Sequence, residues 1–168
     1  VIFHEAAIPS VARSLVTPRL TNQVNVTGTI EVMLAAARNG VRRVVFAGSS
    51  SIYGVPESLP CREEQRPAPR SPYGASKLAA EALLCAYDGL LPTLALRLFF
   101  PYGAGQRDRL VADLIGRVRE GRAITLSGDG GGLVFNPTHV DDIVAVAEQA
   151  IHAGWRGLAG GILEATVQ

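Results

Sequence analysis

Apolar residues along the chain fall into short continuous runs separated by longer stretches with helical spacing. Residues 1–4 (VIFH), 41–47 (VRRVVFA) and 94–98 (LALRL) read as buried strands. Between His4 and Thr17 the chain is small and polar and reads as a connection. Pro18 suits a first helical turn, and a helical pattern runs to Asn39 with Gly40 in the C-terminal cap position. Residues 54–72 hold Pro56, Pro60, Pro67 and Pro69 and read as a loop. Pro72 opens a second helix reaching Tyr87, and residues 108–120 form a third, stopped by Gly121. A short strand at 124–126 and a turn at 128–132 follow. Asp141 or Asp142 caps a last helix ending near His152, and the remaining residues, with Gly157, Gly160 and Gly161, read as irregular. Short apolar strands alternating with helices predict an α/β fold built from parallel βα units.

Composition narrows the function. The 168 residues are 48% hydrophobic and 18% charged, enough for one domain with a core. A net charge of +1 with no basic stripe argues against nucleic acid, and no apolar run reaches the ~18–20 residues of a membrane span. The opening VIFHEAA has neither the basic start nor the cleavage site of a signal peptide. Two unpatterned cysteines, Cys61 and Cys85, suit a reducing compartment, so a cytoplasmic location is expected. The chain opens on an apolar run and its one Met is Met33, which predicts a piece of a longer reading frame.

One residue stands out against this background. Of 16 basic residues, 15 are Arg; the single lysine, Lys77, lies in SPYGASKLAAE, four residues after Tyr73. On a helix the two share a face, and an ammonium there favours phenolate, tuning the Tyr for proton transfer to or from an alcohol. Ser49, Ser50 and Ser51 directly follow a predicted strand, at the end of a parallel sheet where ligands bind. A hydroxyl at that edge can hold a substrate oxygen. Other features carry less. Gly103–Ala104–Gly105 lacks the third glycine of a phosphate loop, Asp141 and Asp142 have no partner at metal spacing, and His4 and His139 read as structural. Arg107 and Arg109 suit either an anionic substrate or a solvated surface.

Taken together, FHEAA, NVTGTIEVMLAAARNGVRRVVFAGSSSIYG, SPYGASKLAAE, LALRLFFPYG and GDGGGLVFNPTHVDDI resemble the NAD-dependent epimerase/dehydratase family, the extended short-chain dehydrogenase/reductases, in the family's order. The resemblance implies a partial Rossmann-like doubly wound parallel sheet, truncated at the N-terminus and in the C-terminal substrate region. Residues 1–168 would form one partial NAD(P)-binding domain, its substrate-binding part beginning near residue 100. Tyr73 would be the acid/base, Lys77 would lower its pKa and bind the nicotinamide ribose, and Ser49 would hold the substrate oxygen. Ala6, Ala7, Asn25 and Phe99 would line the cofactor groove, and Ser50, Ser51, Phe100 and Arg107 the substrate site. The cofactor implied is NAD, with NADP as the alternative, and no metal. The substrate implied is a sugar or nucleotide sugar. The helices at 18–39 and 72–87 would pair with a second subunit.

Three departures from the family shape the expectation. The Gly-rich strand–turn–helix that takes the cofactor pyrophosphate is not in these residues and is expected upstream of Val1, with the determinant of NAD over NADP. Phe100 stands where the family often has Asn, and Phe135-Asn136 where it often has Arg-Asp; a Phe offers no guanidinium fork to a diphosphate. Ser50 and Ser51 stand where 4,6-dehydratases carry acids, which favours epimerisation or oxidoreduction. Two rivals remain: an interaction module with an inherited, inactive site, and a reductase of a non-sugar ketone using the same Ser, Tyr and Lys.

Overall fold

The computed structural model describes residues 1–87, 89–107, 109–125, 135–152 and the backbone of 162–164. The first strand, β1 (Ile2–His4), starts one residue inside its apolar run. The polar connection after it contains a helix that its spacing did not announce, α1 (Val11–Val16), whose N-cap Ser10 accepts a hydrogen bond from the Arg13 amide. The long helix expected over 18–39 is three pieces. α2 (Pro18–Asn22) starts on its proline, a π-helical turn follows at Gln23–Thr27, and α3 (Gly28–Arg38) completes the run.

β2 (Val44–Ala47) is shorter than its apolar run. Val41 instead closes the end of α3, its amide donating to the Ala36 carbonyl at 3.0 Å. A tight turn at Ser50–Ile52 follows β2, and α4 (Pro72–Tyr87) occupies the residues expected of it. Ser71 fixes its start, accepting from the Gly74 amide at 3.0 Å, with Pro72 in the first turn. β3 (Thr93–Arg97) is displaced one residue from the expected 94–98.

Beyond β3 come β4 (Pro101–Tyr102), α5 (Leu110–Arg119), β5 (Thr138–His139), α6 (Val140–His152) and β6 (Ile162–Glu164). Asp108, the expected start of α5, lies outside the described residues, and Arg109 is the cap residue. Ile124 and Thr125 belong to no strand; Leu126 and the turn at 128–132 lie outside the described residues. Asp141 and Asp142 sit within the first turn of α6 rather than capping it, where they still suit the positive helix end. The irregular tail is corrected by β6: three residues after a Gly-rich stretch carry too little periodicity to announce a strand.

The main sheet has the order β1-β2-β3-β6 and is parallel throughout. β4 and β5 form a small second parallel pair. Every residue of β3 is buried, as a strand covered on both faces requires. Val44 and Phe46 of β2 pack with Met33, Ala36, Ala80 and Leu84 of α3 and α4. Val45 faces the other way, toward Leu94, Leu96 and Ala150 of α6. Helices thus cover both faces, a doubly wound arrangement. Among the described residues, no helix is long and apolar enough to cross a membrane.

Candidate functional site

Register brings the candidate residues to one edge. His4 pairs with Phe46, Phe46 with Ala95, and Ala47 with Leu96, so the chain leaves β1, β2 and β3 side by side. Ala6 and Ala7 follow β1, Ser49 follows β2, and Phe99 follows β3. Ala6 is exposed and Ala7 half-buried, so small side chains floor this part of the edge.

Ser49 is buried at the start of the Ser50–Ile52 turn, where its Oγ accepts from the Ser51 amide at 3.2 Å. The Ser50 amide donates to the Leu98 carbonyl at 3.1 Å, fixing the turn to the end of β3. Ser50 and Ser51 themselves are half-buried. Tyr73, in the first turn of α4, is close enough to the Ser49 hydroxyl for that hydroxyl to act on its phenol. Burial pushes the phenol above the ordinary value of 10.0, while the Ser49 hydroxyl and the charge of Arg109 pull it back.

Lys77 is buried on the same helix. Its Nζ donates to the Ala47 carbonyl at 2.7 Å and lies 4.6 Å from the centroid of the Phe46 ring. Burial lowers its pKa to about 8. Arg109 is a cation whose charge reaches the Tyr73 phenol, and Lys77 places one of its donors on the strand backbone.

Asn25 is buried under the edge rather than facing it. Its Oδ1 accepts from the Ile8 amide at 2.8 Å, and its Nδ2 donates to Ser76 Oγ at 2.9 Å and to the Ile8 carbonyl at 3.4 Å. It fastens the loop after β1 to α4, and the π-helical turn carries it there. His4 is structural, its Nε2 2.9 Å from Thr29 Oγ1; burial, then Lys77, lowers its pKa.

A cleft of about 430 Å³ opens beside Tyr73, lined also by Pro9, Phe100, Gln106, Arg109 and Leu110. Phe100 holds the left-handed backbone conformation at φ 38° and packs against Phe135 with ring centroids 5.0 Å apart. Phe99 stacks on Tyr53 at 6.3 Å instead. Arg107 is exposed and does not line the cleft; Arg109, two residues on, does.

A buried network supports the edge, and sequence reasoning missed it. Arg97 at the end of β3 donates from Nη2 to Glu81 Oε1 at 2.6 Å and from Nε to Oε2 at 3.2 Å. Its Nη1 donates to the Tyr53 hydroxyl at 2.6 Å and to the Glu63 carbonyl at 2.9 Å. One guanidinium thus joins β3, α4, the Ser49 turn and the proline-rich loop. The signal was Glu81 itself, a carboxylate among alanines and leucines four residues after Lys77.

Residues 1–164 match the model of the NAD dependent epimerase/dehydratase family. The UDP-glucose 4-epimerase of Mycolicibacterium smegmatis is 37% identical over 168 residues, covering 96% of this chain and 52% of that protein. The structure of UDP-N-acetylglucosamine 4-epimerase from Methanobrevibacter ruminantium M1, in complex with UDP-N-acetylmuramic acid, has a TM-score of 0.88 at 26% identity, over 96% of this chain and 53% of its own. MoeE5, in complex with UDP-glucuronic acid and NAD, has a TM-score of 0.87 at 35% identity, over 98% of this chain and 56% of its own. The chain spans about half the length of the curated relatives named first among its matches.

Proposed function

Because the chain belongs to the NAD dependent epimerase/dehydratase family, we propose that it carries the proton-transfer site of an NAD-dependent nucleotide-sugar epimerase, with Tyr73 as acid/base, Ser49 holding the substrate oxygen and Lys77 at the cofactor ribose. The observation that carries this reading is the placement of the Tyr73 phenol and the Ser49 hydroxyl together at the open edge of the sheet, beside a cleft of about 430 Å³. Two neighbouring hydroxyls offer one place for a third, the reacting sugar hydroxyl.

The residues fit the nicotinamide end of NAD. An ammonium has three donors; Lys77 uses one on Ala47, and two remain for ribose hydroxyls. The small residues Ala6 and Ala7 leave room for a flat ring above the strand ends. No G-x-G-x-x-G occurs in these 168 residues, so the pyrophosphate contact is assigned to none of them. Bound NAD would take a hydride from the sugar carbon and return it.

The chain's own residues manage the oxygen on that carbon. Tyr73 removes the hydroxyl proton as the alcohol becomes a ketone and gives it back on reduction. Ser49 donates to the same oxygen and, through Tyr73, favours phenolate. Asn25 and Arg97 act by position, fixing the loop after β1 and the Ser49 turn against α4. Ser50 and Ser51 bring no carboxylate to the site, which supports epimerisation over dehydration.

The full-length protein should interconvert the C4 epimers of a UDP-sugar with NAD, and Tyr73→Phe should abolish the reaction while leaving the melting temperature unchanged. An unchanged rate in Tyr73→Phe overturns the assignment. NAD should also raise the melting temperature by mass action, which separates this reading from an inactive interaction module. The apolar Phe100 in the cleft favours one rival, reduction of a less polar ketone, which turnover of such ketones in place of UDP-sugars would establish.

A further inference from the structure

Among the described residues, Arg109 is the one ionised side chain lining the cleft beside Tyr73. Both its Nη1 and its Nη2 lie 3.3 Å from the Pro9 carbonyl, to which they donate. The guanidinium is thereby held between the start of α5 and the loop after β1, across the mouth of the cleft. No carboxylate among the described residues pairs with it. A guanidinium has five donors, so most remain for a ligand. Phe100 lines the same cleft, and beside its apolar ring charge-assisted hydrogen bonds gain strength from low local polarity.

Resting on the epimerase reading above, we propose that Arg109 determines specificity by receiving an anionic group on the sugar ring itself, so that the substrate class is a nucleotide-linked uronic acid rather than a neutral hexose. The diphosphate of a nucleotide sugar hangs from the anomeric end of the ring, away from the carbon being oxidised. Arg109 instead shares its cleft with the acid/base phenol, and its charge reaches that phenol. A ring carboxylate near the reacting carbon is the anion that meets both conditions. Arg109 is also a positioning residue for proton transfer, since its field favours the phenolate of Tyr73.

The test compares UDP-glucuronate with UDP-glucose in the wild type, Arg109→Gln and Arg109→Lys, by kcat/KM and by titration calorimetry, with melting temperature as the check on folding. The wild type should prefer the anionic sugar. Arg109→Gln should lose about ten- to hundredfold more on it than on the neutral sugar, the scale of one charged hydrogen-bonding partner, while the neutral sugar loses only what the weakened field on Tyr73 costs. Arg109→Lys should restore part of the loss. In Arg109→Gln the rate should also need a higher pH, because the phenol loses a cation that lowers its pKa. Equal losses on both sugars would assign Arg109 to the shared diphosphate and overturn the proposal. So would no loss on either, or a wild type that turns over UDP-glucose without preferring UDP-glucuronate; each leaves the epimerase reading standing. Arg109-dependent binding of UDP-glucuronate without turnover would keep the anion site and overturn the epimerase reading. Binding of neither sugar overturns both.

Discussion

Gly74 passes so close to Ser51 that a Cβ on the glycine would lie 2.5 Å from the Ser51 carbonyl oxygen and 3.1 Å from Pro69 Cβ. The first turn of α4 is pressed onto the turn that carries Ser49, and the residue before the glycine, Tyr73, reaches the Ser49 hydroxyl because of it. In an exposed helix interior, Gly→Ala stabilises by about 1 kcal/mol. Here the obstacle is backbone and cannot swing aside, so Gly74→Ala should destabilise by about 1–3 kcal/mol, the cost of overpacking. Activity should fall further than the melting temperature implies, since the helix must move away from Ser49. Chemical denaturation and kcat on the same variant check this; a stabilised, fully active Gly74→Ala would show that the close approach does not set the site.

Ser49 should reveal itself in a pH profile. Its hydroxyl favours the Tyr73 phenolate and partly offsets burial, which raises the phenol's pKa. Ser49→Ala removes the offset, so the pKa rises and the pH at which the rate of alcohol oxidation climbs should move upward. Losing a hydrogen bond to an ionised group is worth about 1.5–3 kcal/mol, so a shift of one to two pH units is about the limit. A lower rate at every pH with an unmoved profile would leave Ser49 with a steric role only.

Lys77 makes a prediction about stability. Its pKa is about 8 in the folded protein against 10.5 ordinarily, because burial disfavours the ammonium. A lowered pKa means the unfolded chain binds more protons than the folded one between these values. Stability therefore rises with pH across about 8 to 10.5 through this group, by at most about 3 kcal/mol, and the burial penalty stands in full below pH 8. Lys77→Met should lack that rise while losing activity. Denaturation of both proteins at pH 7 and at pH 10 isolates the effect; parallel curves would show that Lys77 carries no burial penalty.

What was legible in the sequence follows from how local each signal is. α4 was legible to both ends because Ser71, Pro72 and the apolar spacing up to Tyr87 are all local. The strand ends that carry Ser49 and Phe99 were legible from short apolar runs. α1 was missed because six residues around Arg13 and Ser14 show little periodicity, although Ser10 was a readable cap. The identity of the arginine in the cleft was not legible: Arg107 and Arg109 are two residues apart, and the tether to Pro9, 100 residues away in sequence, selects Arg109. The reach of the Arg109 charge to Tyr73 was not legible for the same reason, and neither was the hydrogen bond from Lys77 to Ala47, 30 residues away.

The pairing of Arg97 with Glu81 is nonlocal in the same sense, and it separates stability from positioning. Both side chains are almost fully buried, at 4% and 5% exposure. Glu81→Leu strands a buried guanidinium and should cost about 3–5 kcal/mol. Replacing both, as Arg97→Met with Glu81→Leu, removes the stranded charge and should recover most of that loss. The Tyr53 hydroxyl, however, loses the Arg97 donor at 2.6 Å, and Tyr53 directly follows the turn that holds Ser49. The double variant should therefore regain its melting temperature without regaining wild-type kcat. Recovery of both would make the network purely stabilising. Recovery of neither would mean that the tie from Arg97 to the Glu63 carbonyl, which closes the proline-rich loop over the strand end, is what stability depends on.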